Sequence, residues 1–137
     1  MIQVKQILHC LEQAAPYELA EHWDNVGLLV GDPEARVEGV LCALDITPAT
    51  VREARAVGCN AIVSHHPVIF RPLKELRQGD VPALLVREGV SAVCMHTNLD
   101  KAQGGVNDVL AQALGLRDTE PFAGGIGRVG ALPETME

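Results

Sequence analysis

Aromatic and basic residues are scarce in this chain. Only 3% of its 137 residues are aromatic, and 11 lysines and arginines stand against 18 aspartates and glutamates, which gives a formal net charge of −7. A negative chain repels phosphate backbones unless it carries a local basic patch, and the basic residues here are scattered singly along the sequence. There is also no aromatic series on which bases could stack. The sequence therefore predicts no non-specific nucleic-acid binding.

The chain also lacks the patterns of disulfide-rich, zinc-finger and membrane proteins. No apolar run reaches the length of a membrane span, and no basic start with an apolar stretch and a cleavage site precedes the domain. The four cysteines show no paired spacing, so we expect them to be reduced and buried: Cys10, Cys42, Cys59 and Cys94. These features predict a cytoplasmic protein without membrane contact.

Strand and helix signals alternate along the sequence. Apolar runs predict strands at 28–30, 40–44, 61–63 and 90–95, and helices are expected at 3–14, 47–57, 80–89 and after the glycines at 104 and 105. The apolar stripe of the last helix is expected to face the core: Val106, Val109, Leu110, Ala113 and Leu114. The run 40–44 is apolar without alternation, which predicts a central strand. We therefore expect residues 1–137 to form a single three-layer α/β/α domain with a largely parallel, possibly mixed, sheet.

Three of the five histidines lie at the ends of two predicted strands. His65 and His66 follow the strand at 61–63, and His96 follows the strand at 90–95, with Asp100 shortly after it. Because the carboxyl ends of parallel strands meet at one edge of a sheet, these residues are expected to converge. Imidazole and carboxylate together suit zinc, iron, manganese or nickel, whereas calcium prefers oxygen ligands alone. The sequence predicts a metal site formed by His65, His66 and Asp100.

The proline at position 67 favours an extended backbone at His66. Neighbouring side chains of an extended segment point to opposite sides, so His65 and His66 are expected to hold one ion each on either side of a bridging Asp100. One ion with a histidine outside its coordination shell is the alternative. For His96 we expect a role as general base or as a residue that orients a ligand, ahead of direct coordination.

Other polar residues near these motifs are interpreted as structural. Asp45 is expected to begin a loop outside the site, and Asp24 is typical of a turn. Trp23 is interpreted as a packing residue. Arg128 is expected to be a solvated surface group, although a guanidinium can also bind a substrate phosphate.

Four sequence motifs follow one another along the chain in a distinctive order. They are Trp23-Asp24-Asn25 with Gly27, then His65-His66-Pro67, then His96 to Asp100, and finally Gly125 to Arg128. Together they resemble the NGG-interacting-factor-like family, whose members are often named GTP cyclohydrolase type 2 homologues. The resemblance implies an α/β domain that binds two divalent metal ions, with His65, His66 and Asp100 among their ligands. It also allows Asp24 and Asn25 a position near the metal edge, as the alternative to a turn. It also implies a homo-oligomer, often a hexamer, and a metal-dependent hydrolase with a small nucleotide substrate.

The sequence departs from that family in one respect. The family completes its site with a histidine and a glutamate near its carboxyl end, and this chain has no histidine after His96. We therefore expect that the chain is the amino-terminal part of a longer architecture or that a partner supplies the missing ligands, with weak or partial metal loading of the isolated chain. The alternative function is a metal-stabilised oligomeric scaffold or regulatory protein without catalysis.

Overall fold

Four short strands form the central sheet of the computed structural model, which describes residues 1–132. The strands are β1 (Gly27–Val30), β2 (Val40–Ala43), β3 (Ala61–Ser64) and β4 (Ser91–Cys94). Their order across the sheet is β1-β4-β3-β2. Strands β2, β3 and β4 are parallel, and β1 pairs antiparallel with β4. The sheet is therefore mixed but mostly parallel, which confirms the predicted α/β fold.

Helices connect the parallel strands and continue beyond them. They are α1 (Val4–Ala14), α2 (Pro48–Ala56), α3 (Val81–Glu88), α4 (Thr97–Lys101) and α5 (Val106–Ala113). A hairpin of β5 (Arg117–Phe122) and β6 (Gly127–Ala131) follows, and single turns of 3-10 helix lie at Tyr17–Leu19 and Ala123–Gly125. The sequence pattern does not predict α4 or the hairpin, because α4 is only 5 residues long and the β5 side chains are all exposed.

The central strand β3 sends alternate side chains to the two faces of the sheet. Ile62 packs on one face with a buried cluster that includes Val51 of α2 and Leu85 of α3. Val63 packs on the other face against Met95 and its neighbours beside α1 and α4. Helices therefore cover both faces, as the three-layer prediction requires.

The loop between β2 and α2 is fixed by the start of the helix. The backbone amide of Thr50 donates to Thr47 Oγ1 at 3.2 Å, and Pro48 occupies the first turn, where its missing amide hydrogen is not needed. The Thr50 hydroxyl also donates to the carbonyl of Asp45 at 3.1 Å. The helix cap therefore sets the backbone position of Asp45 at the carboxyl edge of the sheet.

The prediction that 40–44 forms a central strand is wrong, because β2 lies at the edge of the sheet. Leu41 and Ala43 pack towards α2, whereas Val40, Cys42 and Leu44 are exposed. An apolar run indicates that both faces of a strand are apolar, but it carries no information on whether both edges are paired.

The burial expected of the last helix and of the cysteines is also partly wrong. In α5 the buried residue is Ala111, whereas Val109, Leu110 and the following Leu114 are exposed. The half-buried side chains of this helix include polar ones: Asn107 donates to the carbonyls of Asp100 and Ile126, and Asp108 pairs with Arg128. Of the cysteines, Cys94 is buried and Cys59 is half-buried, but Cys10 and Cys42 are exposed.

The structure brings three arginines together that are separate in sequence. Arg52 and Arg55 of α2 and Arg87 of α3 line one shallow groove of about 240 Å³. Basic residues that are scattered along the sequence thus lie together where two helices pack, and Glu88, which pairs with Arg87, lines the same groove. Among the helices of residues 1–132, none combines the length and the apolar character needed to cross a membrane.

The cysteines give a direct test of this fold. Burial, and secondarily the negative charge of Asp24, raise the pKa of the Cys94 thiol to about 12, and only a thiolate is alkylated efficiently. We expect iodoacetamide at mildly alkaline pH to modify Cys10 and Cys42 in the folded protein and Cys94 only after unfolding. Mass spectrometry of the peptides measures this difference. Equal modification of Cys94 and Cys42 in the folded state would contradict the described packing.

Candidate metal centre

The histidine pair lies in a bend just beyond the end of β3. The backbone amides of His65 and His66 still donate to the carbonyls of Ala43 and Leu44, at 3.2 and 2.9 Å. The hydroxyl of Ser64, however, donates to the carbonyl of His66 at 2.8 Å, which closes the bend. The two rings consequently lie with centroids 5.3 Å apart. The expectation of a strand-like His66 pointing away from His65 is therefore wrong.

The third histidine reaches the same place through the neighbouring strand. Ser64 and Cys94 are register partners at the parallel ends of β3 and β4, so His96 comes two residues after β4, as His66 comes two residues after β3. The His96 ring centroid lies 5.2 Å from that of His65 and 5.8 Å from that of His66. A ring nitrogen of each histidine lies within 4.8 Å of those of the other two. The predicted convergence of the two strand ends is confirmed.

Each of the three rings is oriented by an oxygen acceptor at Nδ1. The acceptor is the carbonyl of Met95 for His65 at 3.0 Å, Asp45 Oδ1 for His66 at 2.7 Å, and Asp24 Oδ1 for His96 at 2.9 Å. Carbonyl and carboxylate oxygens only accept, so each Nδ1 carries the hydrogen and each neutral ring keeps its lone pair on Nε2. Metal-binding histidines are typically held in this way.

Asp24 is the most strongly held of these acceptors. Its carboxylate is fully buried, and it accepts hydrogen bonds from His96 Nδ1 at 2.9 Å, from the Thr97 hydroxyl at 2.5 Å and from the Thr97 and Asn25 amides at 3.0 and 2.8 Å. Burial alone would raise the pKa of Asp24, but the bonds from Thr97, His96 and Asn25 together outweigh burial and hold that pKa below its usual value. Asp24 is therefore ionised beside His96.

Asp100 approaches the cluster from α4. Its Oδ1 atom lies 3.4 Å from His65 Nε2, and both side chains are mostly buried. The group within 4.8 Å contains the three histidines and not Asp100. A carboxylate beside Nε2 of His65 nevertheless adds an oxygen donor to three imidazole nitrogen donors. This donor set fits zinc, iron, manganese or nickel.

Gly105 fixes the helix that carries Asp100. Its amide donates to the carbonyl of Ala102 at 2.9 Å, in the turn between α4 and α5. A Cβ atom at this position would lie only 1.9 Å from the carbonyl oxygen of Leu99. The close approach requires glycine here, where the sequence suggested only a tight turn.

The structure corrects two interpretations of carboxylates and one of an arginine. Asp45 and Asp24 are not separate loop residues, because they contact His66 and His96 directly. The signal that could have located Asp45 is its position after β2, at the same sheet edge as the histidines. Arg128 is not solvated: it pairs with Asp108 and donates to the carbonyls of Gly125 and Lys101, so it joins the β5–β6 hairpin to α4 and α5.

The fold and the site define an α/β domain with a histidine cluster, at the carboxyl edge of its sheet, that could hold a metal ion. Comparison with known proteins agrees with this class. The family model of Duf34/NIF3 (NGG1p interacting factor 3) matches residues 2–137, and the chain belongs to this family.

Curated relatives carry the name GTP cyclohydrolase 1 type 2 homolog. One from Staphylococcus aureus strain MRSA252 is 42% identical over 85% of this chain and 33% of its own length. One from Lactococcus lactis is 43% identical over 90% of this chain and 51% of its own length. The chain thus spans between a third and about half of these relatives.

Solved structures show the same fold. A Bacillus cereus protein related to NIF3 superimposes with a TM-score of 0.85 at 39% identity, over 90% of this chain and 35% of that one. Reduced HcgD from Methanocaldococcus jannaschii superimposes with a TM-score of 0.87 at 31% identity, over 94% of this chain and 54% of that one. These similarities confirm the family resemblance inferred from the ordered motifs.

The carboxylates that orient His66 and His96 give a testable prediction. Asp45→Asn removes the charge that orients His66, a predicted ligand, and loss of such a ligand-orienting carboxylate typically weakens metal binding about 10- to 100-fold. We expect the low end of that range, because both partners in the Asp45–His66 pair are about half exposed. Asp24→Asn acts on His96, which is not among the predicted ligands, so we expect its zinc affinity to change less than that of Asp45→Asn. Zinc titration measures both affinities, and thermal melting of the metal-free variants controls for folding. Unchanged zinc affinity in a folded Asp45→Asn protein would contradict this role of Asp45.

Proposed function

We propose that this protein is a dinuclear metal-dependent hydrolase that acts on a small nucleotide, in the manner of a GTP cyclohydrolase. The observation that carries the proposal is the shared orientation of three histidines, each with Nδ1 bound to an oxygen, so that Nε2 is the nitrogen left to bind a metal ion. The names of the curated relatives support the substrate class. Since the chain spans only part of those relatives, the activity belongs to the proposal.

His65, His66 and Asp100 are the proposed metal ligands. A bound divalent ion would supply Lewis-acid activation of water at neutral pH, and two ions would together orient the reacting oxygens. Even if His96 is counted with them, three imidazoles and one carboxylate are only four donors, about as many as one tetrahedral zinc ion takes. Two ions therefore need further ligands from elsewhere, and we expect the isolated chain to bind fewer than two ions tightly.

His96 is the proposed proton acceptor. Its Nδ1 atom is held by the ionised carboxylate of Asp24, which stabilises the ring when it gains a proton at Nε2. Its distance from the other two rings also allows direct coordination of a single ion, which is the alternative for this residue. A ligand loses its lone pair to the metal, so the two roles of His96 are mutually exclusive in one step.

A metal-stabilised oligomeric scaffold is the second candidate function. It is supported by exposed apolar side chains on α5 and the hairpin, including Val109, Leu110, Phe122 and Val129. Exposed apolar residues grouped in this way are typical of surfaces that bind another chain. In this alternative the ions would hold copies of the protein together, in an assembly such as the proposed hexamer, without catalysis.

Metal analysis tests the ligand set. We expect His65→Ala, His66→Ala and Asp100→Ala each to lower the zinc, iron, manganese or nickel content of protein purified under metal-replete conditions, because each removes one donor. His9→Ala is the matched control, since His9 is exposed on α1 and lies outside the cluster. Equal metal content in the wild type, the three variants and the control would refute the metal centre.

Turnover separates the enzyme from the scaffold and resolves the role of His96. We expect the metal-loaded protein to convert GTP to a ring-opened product, and His96→Gln to retain metal while losing at least about 100-fold in turnover, as is usual for loss of a general base. Loss of metal in His96→Gln would instead identify His96 as a ligand. Wild-type turnover no greater than that of Asp100→Ala would favour the scaffold, which gel filtration with and without EDTA would then examine.

A further inference from the structure

Two of the few aromatic residues of this chain meet beside the histidine cluster. The chain has one tryptophan, one tyrosine and two phenylalanines. Trp23 and Phe70 pack edge to face with ring centroids 6.1 Å apart, and Phe70 packs edge to face on His96 at 6.5 Å. Trp23 is 51% exposed and Phe70 is 44% exposed. Large aromatic side chains gain stability from burial, so packing within the domain does not account for their position.

The aromatic pair, which we call the aromatic rim, is held in place by polar contacts. Trp23 directly precedes Asp24, whose carboxylate binds His96 and Thr97. The side-chain amide of Asn25 donates to the carbonyl of Ile69 at 2.6 Å, next to Phe70. The turn that orients His96 therefore also fixes the aromatic rim. Exposed aromatic side chains held in this way are pre-organised for a ligand, because little conformational entropy remains to be lost on binding.

A groove of about 840 Å³ begins at the same point. It is lined by His66 and Phe70 at one end and continues along the loop that carries Arg71 and Lys74. The volume is that of a typical small-molecule site. The acidic side chains of the groove are engaged: Asp45 with His66, Glu75 with Arg77, and Asp80 with the Arg77 amide. Within the described part of the chain, Arg71 and Lys74 form no ion pair.

We propose that Trp23 and Phe70 form a stacking subsite for the planar heteroaromatic ring of the substrate, and that Arg71 and Lys74 bind its anionic group. The inference rests on the proposed function, because it places the reacting ring beside the His65–His66–His96 cluster. Stacking accepts any flat π-system, so the aromatic rim selects a class of substrate, that of phosphorylated heteroaromatic compounds such as nucleotides. When the ring of the substrate stacks on the aromatic rim, its anionic group extends along the groove towards Arg71 and Lys74.

The single tryptophan makes the subsite directly observable. Guanosine, GTP and inorganic triphosphate are titrated into the full chain, first with EDTA and then with zinc, while Trp23 fluorescence is recorded. We expect guanosine and GTP to change the emission saturably in both conditions, and inorganic triphosphate to leave it unchanged with EDTA, because only the first two carry a ring. We expect GTP to bind more tightly than guanosine, and increasingly weakly as salt is added.

Variants test which residues bind the ring of the substrate and which bind its anionic group. Phe70→Ala is expected to weaken guanosine binding about tenfold, the usual effect of removing one stacking side chain, and Phe70→Tyr is expected to restore it. Phe122→Ala, which removes the other phenylalanine of the chain, is the matched control with unchanged affinity. Arg71→Gln and Lys74→Gln are expected to weaken binding of GTP and to leave that of guanosine unchanged.

Three results would overturn the subsite. The first is equal guanosine affinity in the wild type and Phe70→Ala, and the second is no response of Trp23 to guanosine at all. The third is an emission that depends on protein concentration and not on guanosine, since a second copy of the chain would then cover the aromatic rim. Failure of the proposed function has a different signature, because it appears as absence of metal binding and leaves the EDTA titration with guanosine unaffected.

Discussion

The buried carboxylate of Asp24 is the constraint on which the site depends. An ionised group that is shielded from solvent is tolerated only where hydrogen bonds replace its hydration. For Asp24 these hydrogen bonds come from its sequence neighbour Asn25 and from His96 and Thr97, which follow β4. The turn at residues 23–25 is thereby joined to the carboxyl edge of the sheet. Without this link, neither the His96 ring nor the aromatic rim would have a fixed position relative to His65 and His66.

Strand pairing in the sheet determines the remaining positions of the histidine-bearing segments. Parallel pairing of β3 with β4, in which Ser64 is opposite Cys94, brings two polar segments that are 29 or more residues apart to adjacent positions at the sheet edge. The bend after Ser64 then turns both rings of the histidine pair to one side. In this way a regular backbone pattern determines where the imidazoles lie, and a local irregularity determines where they point.

The sequence predicts the features that depend on periodicity and chain order. Thr47 and Pro48 mark the start of α2, Gly89 marks the end of α3, and the alternation of elements indicates the parallel strands. It does not identify the contacts of Asp45 and Asp24 with the histidines, because a single aspartate beside a strand is equally typical of a turn. The position of Asp45 after β2 indicates the sheet edge, but only the tertiary structure shows which ring each carboxylate faces. The strand β2 is predicted, but its position at the edge of the sheet is not, since strand order within a sheet is not encoded in local hydrophobicity.

The glycine at position 105 shows how far the metal centre extends into the fold. No atom of Gly105 belongs to the site, yet any larger residue would have to displace the carbonyl of Leu99, one position before Asp100. The effect of a substitution at Gly105 therefore depends on how far the carboxylate of Asp100 can move and still reach the histidines. The centre can therefore lose the carboxylate donor even when Asp100 itself is not mutated, because a shift of α4 moves Asp100 away from the histidines.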